Sequence, residues 1–224
     1  MFYNCGLPEA DLSWMDFSNI STSSIRSILT NSYVEKFNFG QNFFKIDASK
    51  RKDTFYAMFN NCQGLKEIDL SLFKDWDSNV SFSRAFYRAT NLSDLNFASW
   101  GHYQPTSIYE FCQWGTNLYS VDLGDCDCSL LKSANNTFDH CPNLTILKNS
   151  FYNYGKANNG IVLPVYLRHC ANLTEASVMN MIDGLYDIKD AYNRTVSIYV
   201  HADVKNSISE SNIAYAQEKG WYIS

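Results

Sequence analysis

The sequence lacks the features that would assign it to a membrane or to a nucleic acid. No apolar run approaches the roughly 20 residues that a membrane-spanning helix needs, and no block of lysine and arginine predicts a nucleic-acid partner. No basic stretch followed by an apolar stretch opens the chain, so no signal peptide is predicted. Of its 224 residues, 46% are hydrophobic and only 18% are charged, a composition that supports a packed core and excludes a disordered chain.

Motifs that carry catalysis are also missing. The sequence has no nucleophile elbow, no glycine-rich phosphate-binding loop and no His-Glu-x-x-His motif. Aspartate and glutamate pairs occur, but nothing singles out one pair as an acid and base. We therefore predict a protein without enzymatic activity and without a cofactor.

Two His-Cys dipeptides, His140-Cys141 and His169-Cys170, are the features closest to a metal motif. Neighbouring side chains usually point apart, so a single His-Cys pair rarely chelates an ion, and the ligand spacings of known zinc sites are missing. The pattern favours two surface histidines beside buried cysteines. We predict no metal site.

A short apolar pattern recurs along the chain, with apolar residues at its first, fourth and sixth positions. Five copies are Leu7/Ala10/Leu12, Val34/Phe37/Phe39, Leu65/Ile68/Leu70, Leu92/Leu95/Phe97 and Leu118/Val121/Leu123. Weaker copies follow at Leu144/Leu147 and Leu173, and successive copies begin 26–31 residues apart. Self-similarity at this period is typical of a solenoid of stacked units, whose short strands pair in parallel.

Alignment of the copies gives columns of side chains with one chemistry each. Two columns are mainly aromatic: Phe59, Phe86, Cys112, Phe138 and Leu167, then Trp14, Phe73, Trp100, Cys126 and Phe151. A third column is small: Cys62, Ala89, Gly115, Cys141 and Cys170. Because the cysteines occupy packing columns, we predict buried free thiols rather than disulfides or zinc ligands. The segment Ser83 to Arg88 is predicted as a short helix or helical turn.

The third copy, Met58 to Phe73, resembles the BspA-like type of leucine-rich repeat, in which MF-x-x-C-x-x-L-x-x-L-D-L-S-x-F recurs. The resemblance covers roughly residues 1–175 and implies an α/β leucine-rich-repeat solenoid of six to seven units. Its short parallel strands would face short helices or turns on the other side. The first unit, Met1-Phe2-Tyr3-Asn4-Cys5, begins part-way through the pattern, which predicts a truncated, open N-terminal coil. Such repeats occur in surface and adhesion proteins of bacteria, in phages and in some protists.

The C-terminal residues have a different pattern. Val178, Met181, Ile182 and Leu185 have helical spacing behind Thr174 as a potential N-cap, and Thr195 to His201 alternates like a strand. A second helix is predicted from Ser209 to Lys219, ended by Gly220, before a last strand at Trp221-Tyr222-Ile223. This helix–strand–helix resembles the terminal unit of leucine-rich-repeat proteins from gut Bacteroidetes and their phages. We therefore predict a solenoid over residues 1–173 and a capping unit over residues 174–224.

The exposed face of the predicted strands is the first candidate binding site. Its residues are polar and mostly acidic: Asp69, Asn96, Asp122, Lys66, Asp94 and Tyr119. Repeat proteins often bind through such a face, whereas the alternative is a solvated sheet surface that aids solubility. Loop aromatics form a second candidate: Trp76, His102, Tyr103, Tyr109, Trp114, Tyr152 and Tyr154. Some of them must instead be packed in the core, and the sequence alone does not sort the two groups.

Three functions fit these patterns. The first is a protein-binding module of a bacterial cell-surface or extracellular adhesion protein, which binds a host receptor, or of a phage virion protein. The second is an architectural subunit of a virion or surface layer, whose open N-terminal coil docks on a neighbouring subunit. The third is a carbohydrate-binding module that uses the loop aromatics to bind a glycan.

Overall fold

A computed structural model describes residues 4–19, 26–43, 53–71, 78–156 and 162–224. The predictions for Met1 to Tyr3, Phe73 and Trp76 lie outside these ranges. The described strands are β1 (Glu9–Leu12), β2 (Lys36–Phe39), β3 (Ser78–Ser81), β4 (Asp94–Asn96), β5 (Gln104–Ser107), β6 (Ser120–Asp122), β7 (Ile146–Lys148), β8 (Val165–Leu167), β9 (Val196–Val200) and β10 (Trp221–Ile223). The described α-helices are α1 (Glu175–Gly184), α2 (Ile188–Tyr192), α3 (Ala202–Ser207) and α4 (Glu210–Glu218). A 3₁₀ turn spans Cys128–Leu130.

The described strands form four separate small sheets, and every strand pair in these sheets is parallel. The sheets are β1-β2, β3-β5, β4-β6-β7 and β10-β9-β8. Within the ladder of β4, β6 and β7, Leu95, Val121 and Leu147 lie side by side and are buried. These are residues of the repeated apolar pattern, so the pattern marks the buried side of this sheet.

The predicted leucine-rich-repeat solenoid is wrong, because the described strands do not join into one continuous sheet. The break is clearest at residues 65–70, which carry the most regular copy of the pattern and are not a strand. Lys66 N donates to Glu35 O (2.9 Å), but beyond that bond an open cleft of about 420 Å³ separates Glu67 to Asp69 from β2. Ion pairs join the two sides instead, Lys36 to Glu67 (2.6 Å) and Lys66 to Glu35 (2.8 Å).

Two apolar positions assigned to the core are also exposed. Leu7, the first residue of the first copy, is 47% exposed, and Trp14 of the second aromatic column is 73% exposed. The Trp14 indole N–H donates to the carbonyl of Asp11 (3.2 Å) on the surface. An aromatic stack does form, from Phe59 to Phe86 (5.1 Å between ring centroids) and then to Phe111 (5.5 Å). The predicted aromatic column has Cys112, the next residue, in place of Phe111.

Opposite the repeated apolar pattern lie stacked turns, which we call the turn ladder: residues 55–62, 82–89, 107–115 and 135–141. Every second amide of one segment donates to a carbonyl of the next, with N···O distances of 2.6–3.3 Å. These bonds join Ala57 to Ser83, Phe59 to Ala85, Asn61 to Tyr87, Phe82 to Ser107, Arg84 to Tyr109, Phe86 to Phe111, Arg88 to Gln113, Glu110 to Asn135, Cys112 to Thr137 and Trp114 to Asp139. Several of the intervening amides, such as those of Ala85 and Tyr87, bond within their own segment to the carbonyl three residues earlier. Ser83 to Arg88 therefore forms turns, not a helix.

This bonding places two residues of each segment in the left-handed backbone region. The first set is Ala57, Arg84, Glu110 and Asn136, and the second is Asn61, Arg88, Trp114 and His140, with φ between 51° and 65°. Residues with a Cβ rarely adopt this conformation, which costs about 1–2 kcal/mol each. The hydrogen bonds between segments hold it, because releasing it would leave buried amides without acceptors, at about 1–3 kcal/mol per group.

The C-terminal elements are where the sequence predicts them. Thr174 caps α1 by accepting a hydrogen bond from Ser177 N (3.2 Å), and Gly220, at φ +90°, follows α4 and precedes β10. Trp221 is fully buried and its indole N–H donates to Tyr186 O (2.9 Å). The structure adds α2 and α3, which the periodicity does not predict. β9 pairs with β8, so this sheet spans the predicted boundary at residue 174.

The cysteine prediction is confirmed, since all seven cysteines are free and all but Cys5 are buried. In the small column, each thiol donates to a carbonyl of an earlier segment: Cys62 to Leu29 (2.9 Å), Cys141 to Cys112 (3.1 Å) and Cys170 to Phe138 (3.0 Å). Burial raises the pKa of Cys62 and of Cys141 to about 12. These thiols remain protonated at neutral pH and act as packing groups.

Thiol alkylation of the native chain tests this arrangement. Because the thiolate is the reactive form and only Cys5 is part-exposed, iodoacetamide at neutral pH should modify Cys5 alone. In denaturant all seven cysteines should react. Intact-mass and peptide mass spectrometry measure both states, and rapid native labelling of Cys62 or Cys141 would contradict the packing.

A glycine substitution tests how closely neighbouring segments approach. A Cβ at Gly64 would lie 1.9 Å from the carbonyl oxygen of Tyr33, and a backbone atom cannot move aside as a side chain can. Gly64→Ala should lower the free energy of unfolding by about 2 kcal/mol or more. The matched control is Gly101→Ala, where no atom lies within 4 Å of the new methyl group. Urea unfolding should separate the two variants, and equal midpoints would show that the segments are not in contact.

Candidate functional site

The central residues of the predicted strand face have a structural role. Asp69 accepts a hydrogen bond from Ser71 N (2.9 Å), Asn96 from Ala98 N (2.8 Å) and Asp122 from Gly124 N (2.9 Å). Asp11 makes the same bond with Ser13 N (2.9 Å). A side-chain oxygen that accepts from the amide two residues later closes an Asx turn, which redirects the chain after the strand. The recurring Asp/Asn position is therefore explained by backbone geometry, without a ligand.

The six residues predicted for this face are not brought together as one stripe. Asn96 lies beside Asp122 in the paired strands β4 and β6, and Asp94 and Tyr119 lie close by in sequence. Asp69 and Lys66 belong to residues 65–70, outside that sheet, and Lys66 is paired with Glu35. The structure thus leaves a polar patch at Asp94, Asn96, Asp122 and Tyr119, and places the other two residues on the neighbouring segment.

A pair of substitutions tests the structural role of the Asx turns. Asp122→Ala removes the acceptor of Gly124 N and also that of the Asn149 amide group (2.8 Å), so it should lower the free energy of unfolding by about 1 kcal/mol. Asp94→Ala is the control, because the Asp94 carboxylate accepts from the neighbouring Ser93 hydroxyl and should change stability by less than about 0.5 kcal/mol. Urea unfolding measures both, and an Asp122 variant as stable as the control would contradict the role.

The predicted loop aromatics divide into buried and exposed sets. Tyr103 and Tyr154 are packed in the core, where their hydroxyls donate to Leu123 O (2.6 Å) and Leu163 O (3.0 Å), so neither belongs to a binding surface. The exposed aromatics are Tyr109, Trp114 and Tyr152. The side chain of His102 is also exposed and lies 3.4 Å from Asp125.

Two of these aromatics belong to a continuous surface on the turn ladder. We define the turn face as Arg84, Tyr87, Arg88, Tyr109, Trp114 and His140. The Arg84 guanidinium lies over Tyr87 (5.9 Å) and Tyr109 (5.8 Å). The Arg88 guanidinium lies over Tyr87 (5.3 Å) and Trp114 (6.0 Å), and Trp114 stacks on His140 at 3.8 Å. Cations and aromatic rings therefore alternate across neighbouring segments.

An ion pair fixes one end of this surface. Arg84 Nε donates to Glu110 Oε2 at 2.6 Å, and the Glu110 side chain is only 11% exposed. The hydrogen bond with Glu110 raises the pKa of Arg84, so the guanidinium is charged throughout the working pH range. The two residues are both left-handed and occupy equivalent places in consecutive segments. The backbone ladder thus sets the distance between the two charges.

One position of the repeat, directly before the small column, is a sequence signal for this surface. Asn61, Arg88, Trp114, His140 and His169 each directly precede a member of the small column. The position varies in chemistry, as an exposed position does, while its neighbour stays small and buried. The left-handed conformation of the first four residues is invisible in the sequence, because a helix or a plain turn would allow the same residues.

The end of this column brings Asp139, His140 and His169 together. His140 Nδ1 lies 2.9 Å from Asp139 Oδ2, His169 Nδ1 lies 2.6 Å from Asp139 Oδ1, and the two imidazole rings stack at 3.9 Å. Burial favours the neutral form of Asp139, but the hydrogen bonds and charges of His169 and His140 outweigh it and lower the pKa of the carboxyl group. As expected, Cys141 and Cys170 are buried and the His169 side chain is 54% exposed, but the His140 side chain is only 29% exposed, and the expectation missed that the two histidines meet at Asp139.

Comparisons of the chain with protein-family models, with curated protein sequences and with solved structures found no match. The resemblance to BspA-like repeats therefore stays a prediction that rests on the residues quoted for it. Among the described residues, no helix has the length and apolar character needed to cross a membrane.

Proposed function

We propose that this chain is a non-enzymatic protein-binding module and that its partner binds the turn face. The observation that carries the proposal is the alternation of arginine and aromatic side chains from Arg84 to Trp114. Tyrosine, tryptophan and arginine are the residues most enriched in the binding hot spots of protein interfaces. Trp114 and Tyr109 are 37% and 39% exposed, so each still has surface to bury against a partner.

The backbone beneath the turn face supports the same role. Arg84, Arg88 and Trp114 hold left-handed conformations fixed by hydrogen bonds to the next segment, so their Cα positions are set before any partner arrives. A preorganised surface loses less conformational entropy on binding than a mobile loop. The chain as a whole carries a net charge of -5, whereas this face carries two arginines, of which Arg84 is paired with Glu110 and Arg88 is exposed. Its partner should therefore offer an acidic or aromatic group to Arg88.

The strand face is the weaker candidate for the same function. Asp69, Asn96 and Asp122 are engaged with their own backbone, and Lys66 is paired with Glu35. A partner would have to compete with these bonds. The resemblance to BspA-like repeats adds an expected setting, a bacterial surface or adhesion protein or a phage virion protein, where protein contact is the usual role.

A peptide selection tests the proposal without a known partner. A phage-displayed random peptide library is panned on the folded chain, and the affinity of selected peptides is then measured for wild type and for the double variant Arg88→Ala/Trp114→Ala. If the turn face is the binding surface, the double variant should bind at least about tenfold more weakly, since removal of hot-spot residues costs about 2 kcal/mol or more.

The matched control is Tyr119→Ala/Tyr152→Ala. These tyrosines are 48% and 50% exposed, more than Trp114, but lie outside the turn face. Peptide affinity should be unchanged in the control, and thermal unfolding should confirm that both variants are folded. Equal binding by wild type and the Arg88/Trp114 variant would reject the turn face. Loss of binding in the control alone would place recognition elsewhere, and parallel binding of the four proteins to a glycan array would reveal a carbohydrate site instead.

A further inference from the structure

We propose that Asp139, His140 and His169 form a binding site for one divalent transition-metal ion, with Zn²⁺ as the reference ion. Among the described residues, these three side chains offer one ligand atom each within 4.8 Å of one another. Both imidazole Nδ1 atoms face the same carboxylate, at 2.9 and 2.6 Å from its two oxygens. His140 also belongs to the turn face, but the inference rests on donor atoms and not on the arginine and aromatic side chains that carry the protein-binding proposal.

The spacing of the donors is close to that of a tetrahedral site. Ligands about 2.0–2.1 Å from Zn²⁺ at tetrahedral angles lie about 3.3 Å apart. The two Nδ1–oxygen distances, 2.9 Å to Oδ2 and 2.6 Å to Oδ1, are shorter by about 0.4 and 0.7 Å, because a hydrogen bond now joins the atoms. Metal binding would replace each of these hydrogen bonds with coordination to the shared ion, with each Nδ1 as the ligand atom and the remaining ring proton on Nε2.

One ring must tilt, and the structure identifies which. The two imidazole rings stack at 3.9 Å with 27° between their planes, so their in-plane Nδ1 donors lie in separate planes and one ring must turn for both to reach one ion. The His140 ring is sandwiched, with Trp114 at 3.8 Å on its other face. The His169 side chain is 54% exposed and can rotate. His140 and Asp139 would therefore act as the fixed ligands and His169 as the ligand that closes on the ion.

Neighbouring groups hold the fixed ligands in place. Gln113 Nε2 lies 3.4 Å from Asp139 Oδ2, and the backbone amide of Trp114 donates to Asp139 O (3.0 Å). The Asp139 side chain is only 13% exposed. Outer groups that orient the ligands in this way are typical of metal sites, where their loss costs about 10–100-fold in affinity.

The donor set selects the class of ion. Two imidazoles with one carboxylate suit Zn²⁺, Cu²⁺ or Ni²⁺, whereas Mg²⁺ and Ca²⁺ prefer all-oxygen sites. The adjacent thiols do not take part, since Cys141 and Cys170 donate to the carbonyls of Cys112 and Phe138. Three protein ligands leave a fourth position for water or for a donor from a bound partner.

Zn²⁺ titration of the intact chain by calorimetry tests the site, with Cys5 alkylated beforehand in every sample to remove the accessible thiol. Wild type should bind about one equivalent, and His169→Ala should weaken binding at least about tenfold. Because His169 is exposed, this variant should remain folded. Cu²⁺ electron paramagnetic resonance of wild type should show coupling to two imidazole nitrogens, reduced to one in His169→Ala.

The matched control is His102→Ala. His102 also lies beside a carboxylate, with 3.4 Å between Nδ1 and Asp125 Oδ1, and its side chain is similarly exposed at 55%, but it belongs to a different pair. Zn²⁺ affinity should be the same in His102→Ala as in wild type. Binding that is as tight in His140→Ala/His169→Ala as in wild type, or absence of binding to wild type, would overturn the proposal and leave the cluster as an ion pair alone.

Discussion

The alternating hydrogen bonds of the turn ladder are the constraint on which the rest of this structure depends. One set of amides joins each segment to the next, while intervening amides close turns within the segment. Each bond contributes only about 0.5–1.5 kcal/mol net, but breaking one leaves buried polar groups unsatisfied. The left-handed backbone at positions such as Arg84 and Arg88 follows from this arrangement. So does the stacking of Phe59 on Phe86, because the ladder holds their segments in register.

The same constraint organises the surface. Residues at one place in successive segments lie next to each other in space, so chemistry far apart in sequence is brought together at a fixed spacing. Arg88 meets Trp114, Trp114 meets His140, and His140 meets His169 in one row. At one end of this row Arg88 contacts an aromatic ring, and at the other end the two histidines form a carboxylate–imidazole cluster with Asp139. A protein-binding surface and a metal site can therefore lie side by side on one scaffold and use different side-chain chemistry, arginine and aromatic contacts in one and metal coordination in the other.

Much of the packing was predictable because it repeats. The buried apolar pattern places Leu95, Val121 and Leu147 side by side, and the small column explains the cysteines as packing groups. The solenoid was not correct, because a repeated pattern specifies which residues are buried in each segment but not whether adjacent strands pair. At residues 65–70, Leu65 and Leu70 stay buried and Ile68 is part-buried while the pairing is lost, and ion pairs span the cleft. The sequence left the place of Tyr103 open, because a tyrosine in a loop is compatible with both the core and the surface.

The sequence by itself determined the period, most of the buried columns and the positions of α1, β9, α4 and β10. These are local properties: they depend on spacing along the chain and on the size and polarity of single residues. Only the tertiary structure decided the division into four sheets, the outward direction of the left-handed residues and the meeting of His140 with His169 at Asp139. Those features depend on hydrogen bonds and ring contacts between segments about 26–30 residues apart, whose geometry no single segment contains.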